Sequence, residues 1–292
     1  MNIFAGLEST VKKNCPMADY TWYRLGGCAD WLICPTTTAQ LQTVLKRCYE
    51  NDMPIHILGN GSNLLVGDAG VRGAVVKLGG ETFGKYEFKR TTLTTGAAVD
   101  LQKLVQESVK KGLGGLESLA GIPGTIGGAV KMNAGGRFGD IGTSVQSVQV
   151  MDMEGDIFEK AKPELVFDYR QANITASVIL GATMDLMEGD PQELLKMVKE
   201  VWIYKKNTQP LDMRNAGCIF KNPRGLSAGA LIDRAGLKGE KIGGAVVSEK
   251  HANFIVTEKG CKSADVKALI EKIQQKVKEL FDVELELEIE IW

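Results

Sequence analysis

Histidine is nearly absent from this chain of 292 residues: only His56 and His251 occur, too few and too far apart in sequence to build a zinc site. The six cysteines, Cys15, Cys28, Cys34, Cys48, Cys218 and Cys261, include no CxxC pair. A chain of this length needs no disulfide staples, so reduced thiols are expected. No stretch approaches the roughly 18 apolar residues that span a bilayer, and the first twenty lack the apolar core of a signal peptide. These absences predict a cytoplasmic protein with no membrane partner. Neither sign of charge is in excess: 35 Lys and Arg face 36 Asp and Glu, for a formal net charge of −1. The charges are spread without a basic stripe, which argues against nucleic acid as a partner. A phosphate-transfer loop, GxxxxGK followed by Ser or Thr, is also missing.

What the chain has in quantity is glycine, 34 of them, within a composition that is 44% hydrophobic. That content is enough for two or three packed domains. Apolar residues at Leu41, Val44, Leu45 and Cys48 predict a helix, and PIHIL after it predicts a short buried strand. Residues 98–112 predict a second amphipathic helix, with Leu101, Leu104, Val105 and Val109 on one face and Gly112 ending it. From about 145 to 187 the pattern turns to strands, SVQSVQVMDM, DIFEKA, ELVFDYR and SVILGATMDLM, expected as a mostly antiparallel sheet. A turn at Gly189 and Asp190 with Pro191 opening a helix marks a domain boundary. A capped helix from Ser263 and a strand over VELELEIEI close the chain. The division that follows is 1–189, in subdomains of about 1–78 and 79–189, and 190–292.

The glycines cluster in two places. GNGSNLLVGD, residues 59–68, lacks the third glycine of the dinucleotide fingerprint and runs into a strand instead of a helix, so it is not a Rossmann loop. By itself it reads as a tight strand connection, although Gly59, Gly61 and Ser62 could turn backbone amides toward an anion. AGIPGTIGGAVKMNAGG, residues 120–136, is harder to explain as a turn. A rigid Pro-Gly start followed by backbone free of side chains offers several convergent N–H donors, as a pyrophosphate requires.

These two loops, with FDYR at 167–170 and NAGCIFKNP at 215–223, resemble the UDP-N-acetylenolpyruvoylglucosamine reductase family, in the family's order and spacing, from about Tyr20 to the C-terminus. The short linker between sheet region and last domain resembles the compact form that lacks an extra substrate-covering insertion. The resemblance implies an α+β fold. Its parts are a two-subdomain FAD-binding scaffold of the p-cresol methylhydroxylase / vanillyl-alcohol oxidase type and a C-terminal α+β substrate-binding domain. It implies noncovalent FAD held by Gly59, Asn60, Gly61, Ser62 and Asn63 with Ile122, Pro123, Gly124, Gly127, Asn133 and Ala134. NADPH would reduce the flavin. The enolpyruvyl ether of a UDP sugar would then accept hydride and a proton, in peptidoglycan precursor synthesis and so in cell-wall biogenesis, cell shape and division.

Within that chemistry the resemblance gives Arg170 the stabilisation of enolate charge, and Cys218 the proton donation. Relatives mostly carry serine at 218, and a thiol with a reference pKa of about 8.5 is still largely protonated at neutral pH and can serve. Alternation over 283–291 puts Glu284, Glu286, Glu288 and Glu290 on one face. The resemblance selects Glu288 as the catalytic carboxylate, on the face opposite Arg170. Leu287 stands where the family commonly has proline, so Glu286 and Glu290 stay open. Lys221 and Asn222 are implied in substrate binding, with Ser227 to Gly239 shaping the same site, and Ala172 replaces a common serine. A monomer is the expectation for a state the sequence leaves open. Two competing readings remain: another flavin oxidoreductase on the same scaffold, such as an alcohol or lactate oxidase, and a silent flavin-binding module.

Overall fold

A computed structural model describes residues 3–292. It separates into two compact units, 3–14 with 30–60 and 72–203, and 15–29 with 61–71 and 204–292. Compactness thus divides the chain differently from the consecutive blocks read at 189/190. The reason is burial: Tyr23 and Leu65, from the early segments, belong to the same apolar cluster as Ile219, Leu269 and Ile289.

The first unit is organised on a five-stranded antiparallel sheet, in the order Ile157–Ala161, Val145–Met151, Val178–Asp185, Thr92–Gly96, Tyr86–Lys89. Most of a four-stranded sheet also lies here, in the order Val11–Pro16, Cys28–Ile33, Val71–Val76, Ile55–Ile57, the last two parallel. The expected helix forms at Thr38–Glu50, where the Thr37 side chain accepts from the Gln40 amide. Leu41, Val44, Leu45 and Cys48 are all buried. They meet Ala74 and Val76 of the small sheet and Met151, Val178 and Leu180 of the large one in a single apolar cluster. Burial removes each Val, Leu or Met side chain among them from water at a gain of about 1.5–3 kcal/mol. The second helix, Leu101–Lys110, opens on an Asp100 cap and stops before Gly112, whose φ of +69° favours glycine. Pro191 opens the helix Pro191–Thr208 as expected, with the Asp190 carboxylate accepting from the Gln192 amide at 2.9 Å.

The second unit holds a three-stranded antiparallel sheet, Lys241–Ile242, Ala245–Val247 and Ile255–Thr257, with helices Ala228–Arg234 and Ser263–Phe281. The long helix is capped from afar: both Asp68 carboxylate oxygens accept from the Ser263 and Ala264 amides at 2.9 Å, satisfying donors that a helix start leaves open.

Several local expectations change. PIHIL forms its strand at Ile55–Ile57 but is half-buried. ELVFDYR yields only the pair Phe167–Asp168, hydrogen-bonded to Gln171–Ala172, after a helical turn at Lys162–Glu164. The 120–136 segment is not a pure loop, because Ile126–Lys131 is helical with Thr125 as its cap. Ile126 and Val130 are fully buried, and that burial overrides the glycine pair's poor helix propensity. Over 283–291 the alternation holds, but regular pairing is confined to Glu290–Ile291 beside Leu64–Leu65 and a bridge from Leu287 to Phe220.

Candidate active site

In the first unit the start of the first glycine-rich segment, Gly59 and Asn60, lies against the second segment and the helix before it. A Cβ on Gly59 would stand 2.9 Å from Thr125 Oγ1, so only glycine allows the approach. Asn60 Nδ2 reaches Asp100 Oδ2 at 3.4 Å, while Asp100 Oδ1 caps the 101–110 helix through the Lys103 amide at 3.0 Å. The second segment is laid along 97–101 by backbone bonds from Leu101 to the Gly124 carbonyl, from Ile126 to Val99 and from Gly127 to Ala97, at 2.9–3.0 Å. Gly127 is needed there, since its Cβ would meet Ala97 Cβ at 3.0 Å. At Gly128 and Gly136, by contrast, an added Cβ meets nothing closer than 3.7 Å, so open space fronts the backbone. A close-packed pair of loops that still presents side-chain-free backbone outward suits a dinucleotide's phosphates.

Two residues that the sequence did not single out hold this arrangement. Gln102, on the 101–110 helix, donates from Nε2 to the Leu119 and Ile122 carbonyls at 2.9 and 2.7 Å and accepts from the Gly121 amide at 2.7 Å. Its one amide thereby pins the entry to the Ile122-Pro123-Gly124 turn. Lys77 donates to the Gly59 carbonyl at 2.6 Å. Burial pushes its ammonium below the ordinary lysine value, and Cys34 opposes the shift. Ala134 closes the second segment, donating to the Ala129 carbonyl and accepting from Ile141. Asn133 is buried, with its amide engaged by Asp168 and Gly142.

Arg170 is half-buried at the second position of the tight turn between Phe167–Asp168 and Gln171–Ala172. Its φ is +59°, a conformation uncommon for a side chain of this size. Nη1 donates to the Gly135 carbonyl at 2.8 Å, and the guanidinium lies 5.2 Å from the Tyr169 ring centre.

In the second unit Cys218 is half-buried, and all six cysteines are thiols. Asn215 shapes the chain before it, accepting from the Gly217 amide at 2.9 Å. After it, Asn253 clamps the backbone: its carbonyl accepts from Ile219, and its side chain bonds both the amide and the carbonyl of Phe220 at 3.0 and 2.8 Å. Asn253 also went unnoticed in the sequence. His251 Nδ1 accepts from the Asn253 amide at 3.2 Å. Burial holds this imidazole below its usual pKa, and Lys238 adds to the effect.

The four glutamates of 283–291 are not equivalent. Glu284, Glu286 and Glu290 are exposed and Glu288 is half-buried. Glu284 and Glu286 pair with Lys278 and Lys221 at 3.3 and 3.5 Å. Glu288 is held by its backbone, donating to the Ile219 carbonyl and accepting from Asn63 Nδ2 at 3.0 Å. Gly61, next to Ser62 and Asn63 in this unit, has no room for a side chain, since its Cβ would fall on the Tyr20 carbonyl. Asn222 turns its side-chain oxygen to the Ala228 amide at 3.0 Å and so helps start the 228–234 helix.

One unit holds a glycine-lined cradle with an arginine and the other a thiol and a partly shielded carboxylate, residue types that suit a flavin-dependent oxidoreductase. Comparison with known proteins agrees. The family described as FAD binding domain matches residues 29–160, and the one described as UDP-N-acetylenolpyruvoylglucosamine reductase, C-terminal domain matches 209–292. The UDP-N-acetylenolpyruvoylglucosamine reductase of Moorella thermoacetica is 41% identical over 98% of this chain and 95% of its own. That of Clostridioides difficile is 40% identical over 97% and 94%. The crystal structure of the reductase from Thermus caldophilus matches with a TM-score of 0.84 at 39% identity, covering 97% of this chain and 98% of that one. The chain belongs to the UDP-N-acetylenolpyruvoylglucosamine reductase family. It is an FAD-dependent oxidoreductase with an α+β FAD-binding scaffold and a C-terminal domain of the reductase type. Among the described residues no helix is long and apolar enough to cross a membrane.

Proposed function

We propose that this protein reduces UDP-N-acetylglucosamine enolpyruvate to UDP-N-acetylmuramate at the expense of NADPH, a step in peptidoglycan precursor synthesis. The relationship to named reductases along nearly the whole chain carries this reading. We assign cofactor binding to 1–189, with Ser62 and Pro123 among the contacts, and substrate recognition to 190–292.

The two glycine segments, with Gly59, Asn60, Pro123 and Gly124 among the contacts, would hold FAD, which would supply hydride chemistry between NADPH and the vinyl carbon of the enolpyruvyl ether. The chain's residues handle the charge and the proton. Negative charge develops on the substrate carboxylate as hydride arrives, and the Arg170 guanidinium stabilises it as a fixed positive group. The Cys218 thiol delivers a proton to the carbon beside that carboxylate, ending the enolate and leaving a lactyl ether. Glu288 assists enolate formation, and Lys221 with Asn222 binds the UDP sugar. The half-burial of Glu288, against three exposed neighbours, supports choosing it.

The test is steady-state NADPH oxidation by the FAD-loaded protein. Turnover that requires UDP-N-acetylglucosamine enolpyruvate and yields UDP-N-acetylmuramate by mass is expected. NADPH oxidation indifferent to that substrate would return the protein to the wider class of flavin oxidoreductases.

A further inference from the structure

Asn133, near the end of the second glycine segment, has a left-handed backbone, φ +41°, and is only 4% exposed. Both ends of its amide are used inside the first unit. Nδ2 donates to the Asp168 carbonyl at 3.0 Å, and Oδ1 accepts from the Gly142 amide at 3.0 Å. Asp168 is the residue from which the turn to Tyr169 and Arg170 departs. Arg170 returns the connection by donating to Gly135, two residues beyond Asn133, at 2.8 Å. Phe167 fills the remaining gap: a Cβ on Gly142 would lie 2.5 Å from Phe167 Cγ and 2.9 Å from Asn133 Oδ1.

The hairpin bearing Arg170 has two residue pairs, Phe167 with Ala172 and Asp168 with Gln171, and an isolated pair of strands that short does not hold its own shape. It also carries a non-glycine residue at positive φ, a conformation that persists only where surroundings impose it. Asn173 ties the base of the hairpin to Val166 and Glu164, and around the turn itself the surroundings include the Asn133 amide and the Gly135 carbonyl, both from the second glycine segment. We propose that Asn133 is a positioning residue for Arg170, setting the guanidinium against the reaction instead of contacting FAD. The claim deepens the proposed function, and the part of its test that uses substrate rests on that reading.

Asn133→Asp separates the two bonds. Aspartate tolerates the left-handed backbone and keeps an acceptor for Gly142, but it replaces the donor to Asp168 with a carboxylate oxygen. A misplaced group of this kind lowers a rate by about 10²-fold. That loss is expected in anaerobic reoxidation of the reduced holoenzyme by UDP-N-acetylglucosamine enolpyruvate, with a much smaller change in FAD affinity. In an Arg170→Ala background the same substitution should slow reoxidation no further, because its effect passes through Arg170. Arg170 Nε relaxation, measured by NMR on the holoenzyme without substrate, should show a side chain ordered in the wild type and mobile in the variant.

An Arg170 side chain equally ordered in both proteins overturns the proposal, whatever the substrate does. Equal slowing of wild type and Arg170→Ala also overturns it, as does a loss confined to FAD affinity. A wild-type holoenzyme that ignores the substrate removes the proposed function alone, and the relaxation result then decides the positioning role. Should Asn133→Asp not fold, Asn133→Gly, which accepts the same backbone and lacks both bonds, takes its place in the same measurements.

Discussion

Asn63 donates from Nδ2 to the backbone carbonyl of Glu288 at 3.0 Å, so the end of the first glycine loop holds the residue proposed as the catalytic carboxylate. The link is reinforced two residues along, where the Glu290 amide donates to the Asn63 carbonyl at 2.9 Å. Glu288 therefore sits at a fixed height on its segment while Glu286 and Glu290 face solvent. Glutamine at 286, 288 and 290 should then give unequal results. Glu288→Gln is expected to slow reoxidation of reduced flavin by substrate about 10²-fold or more, with flavin reduction by NADPH preserved. Stopped-flow absorbance on the three variants checks it, and a loss at 286 or 290 alone would move the role there.

Cys218 is expected to be replaceable by serine and not by alanine. Proton donation needs a protic group, and general acid catalysis contributes about 10²–10⁴-fold. Cys218→Ala should lose reoxidation by that order while Cys218→Ser keeps most of it. Equal rates for alanine and wild type would end the proton-donor assignment.

Gln102 predicts cofactor affinity. Its amide makes three bonds to the backbone at 119–122, each with a net worth of about 0.5–1.5 kcal/mol. Gln102→Leu should raise the FAD dissociation constant by about tenfold to a thousandfold, at about 1.4 kcal/mol per decade. Titration of apoprotein followed by flavin fluorescence measures the shift, and unchanged affinity would show that the loop holds itself.

His251 gives a pH dependence of stability. Its folded pKa lies below the ordinary 6.5 because of burial, then Lys238, and its Nδ1 is an acceptor for Asn253. A histidine kept neutral in the fold leaves the unfolded chain as the better proton binder below pH 6.5 or so. Its contribution is complete above the unfolded pKa and is lost as pH falls toward the folded one. Chemical denaturation at pH 7.5 and 5.5 should show a drop in wild type that is smaller in His251→Gln. The drop should be accompanied by loosening near Cys218, since Asn253 clamps residues 219–220.

Helices were legible where period and punctuation agreed. Leu41, Val44, Leu45 and Cys48 repeat at helical spacing behind the Thr37 cap, and Gly112 ends the helix after Leu101, Leu104, Val105 and Val109. The helix at Ile126–Lys131 escaped because Gly127 and Gly128 weigh against it, and only burial of Ile126, Ala129 and Val130 explains it. Alternation over 283–291 was read correctly as to faces. Its pairing is not legible there, because the partners are Phe220 and Leu64, more than sixty residues away in sequence. The family's motifs supply the proposed site residues as types and positions. Gln102, Lys77 and Asn253 stayed hidden because each acts on backbone groups 17–33 residues distant, leaving no local pattern.

The most direct test of the whole account is a single turnover without oxygen. FAD-loaded protein is reduced with one equivalent of NADPH, then mixed with UDP-N-acetylglucosamine enolpyruvate while the flavin absorbance is followed. Rapid return of oxidised flavin with one equivalent of UDP-N-acetylmuramate formed is expected. Flavin that stays reduced in the presence of this substrate, yet reoxidises when oxygen is admitted, would contradict it.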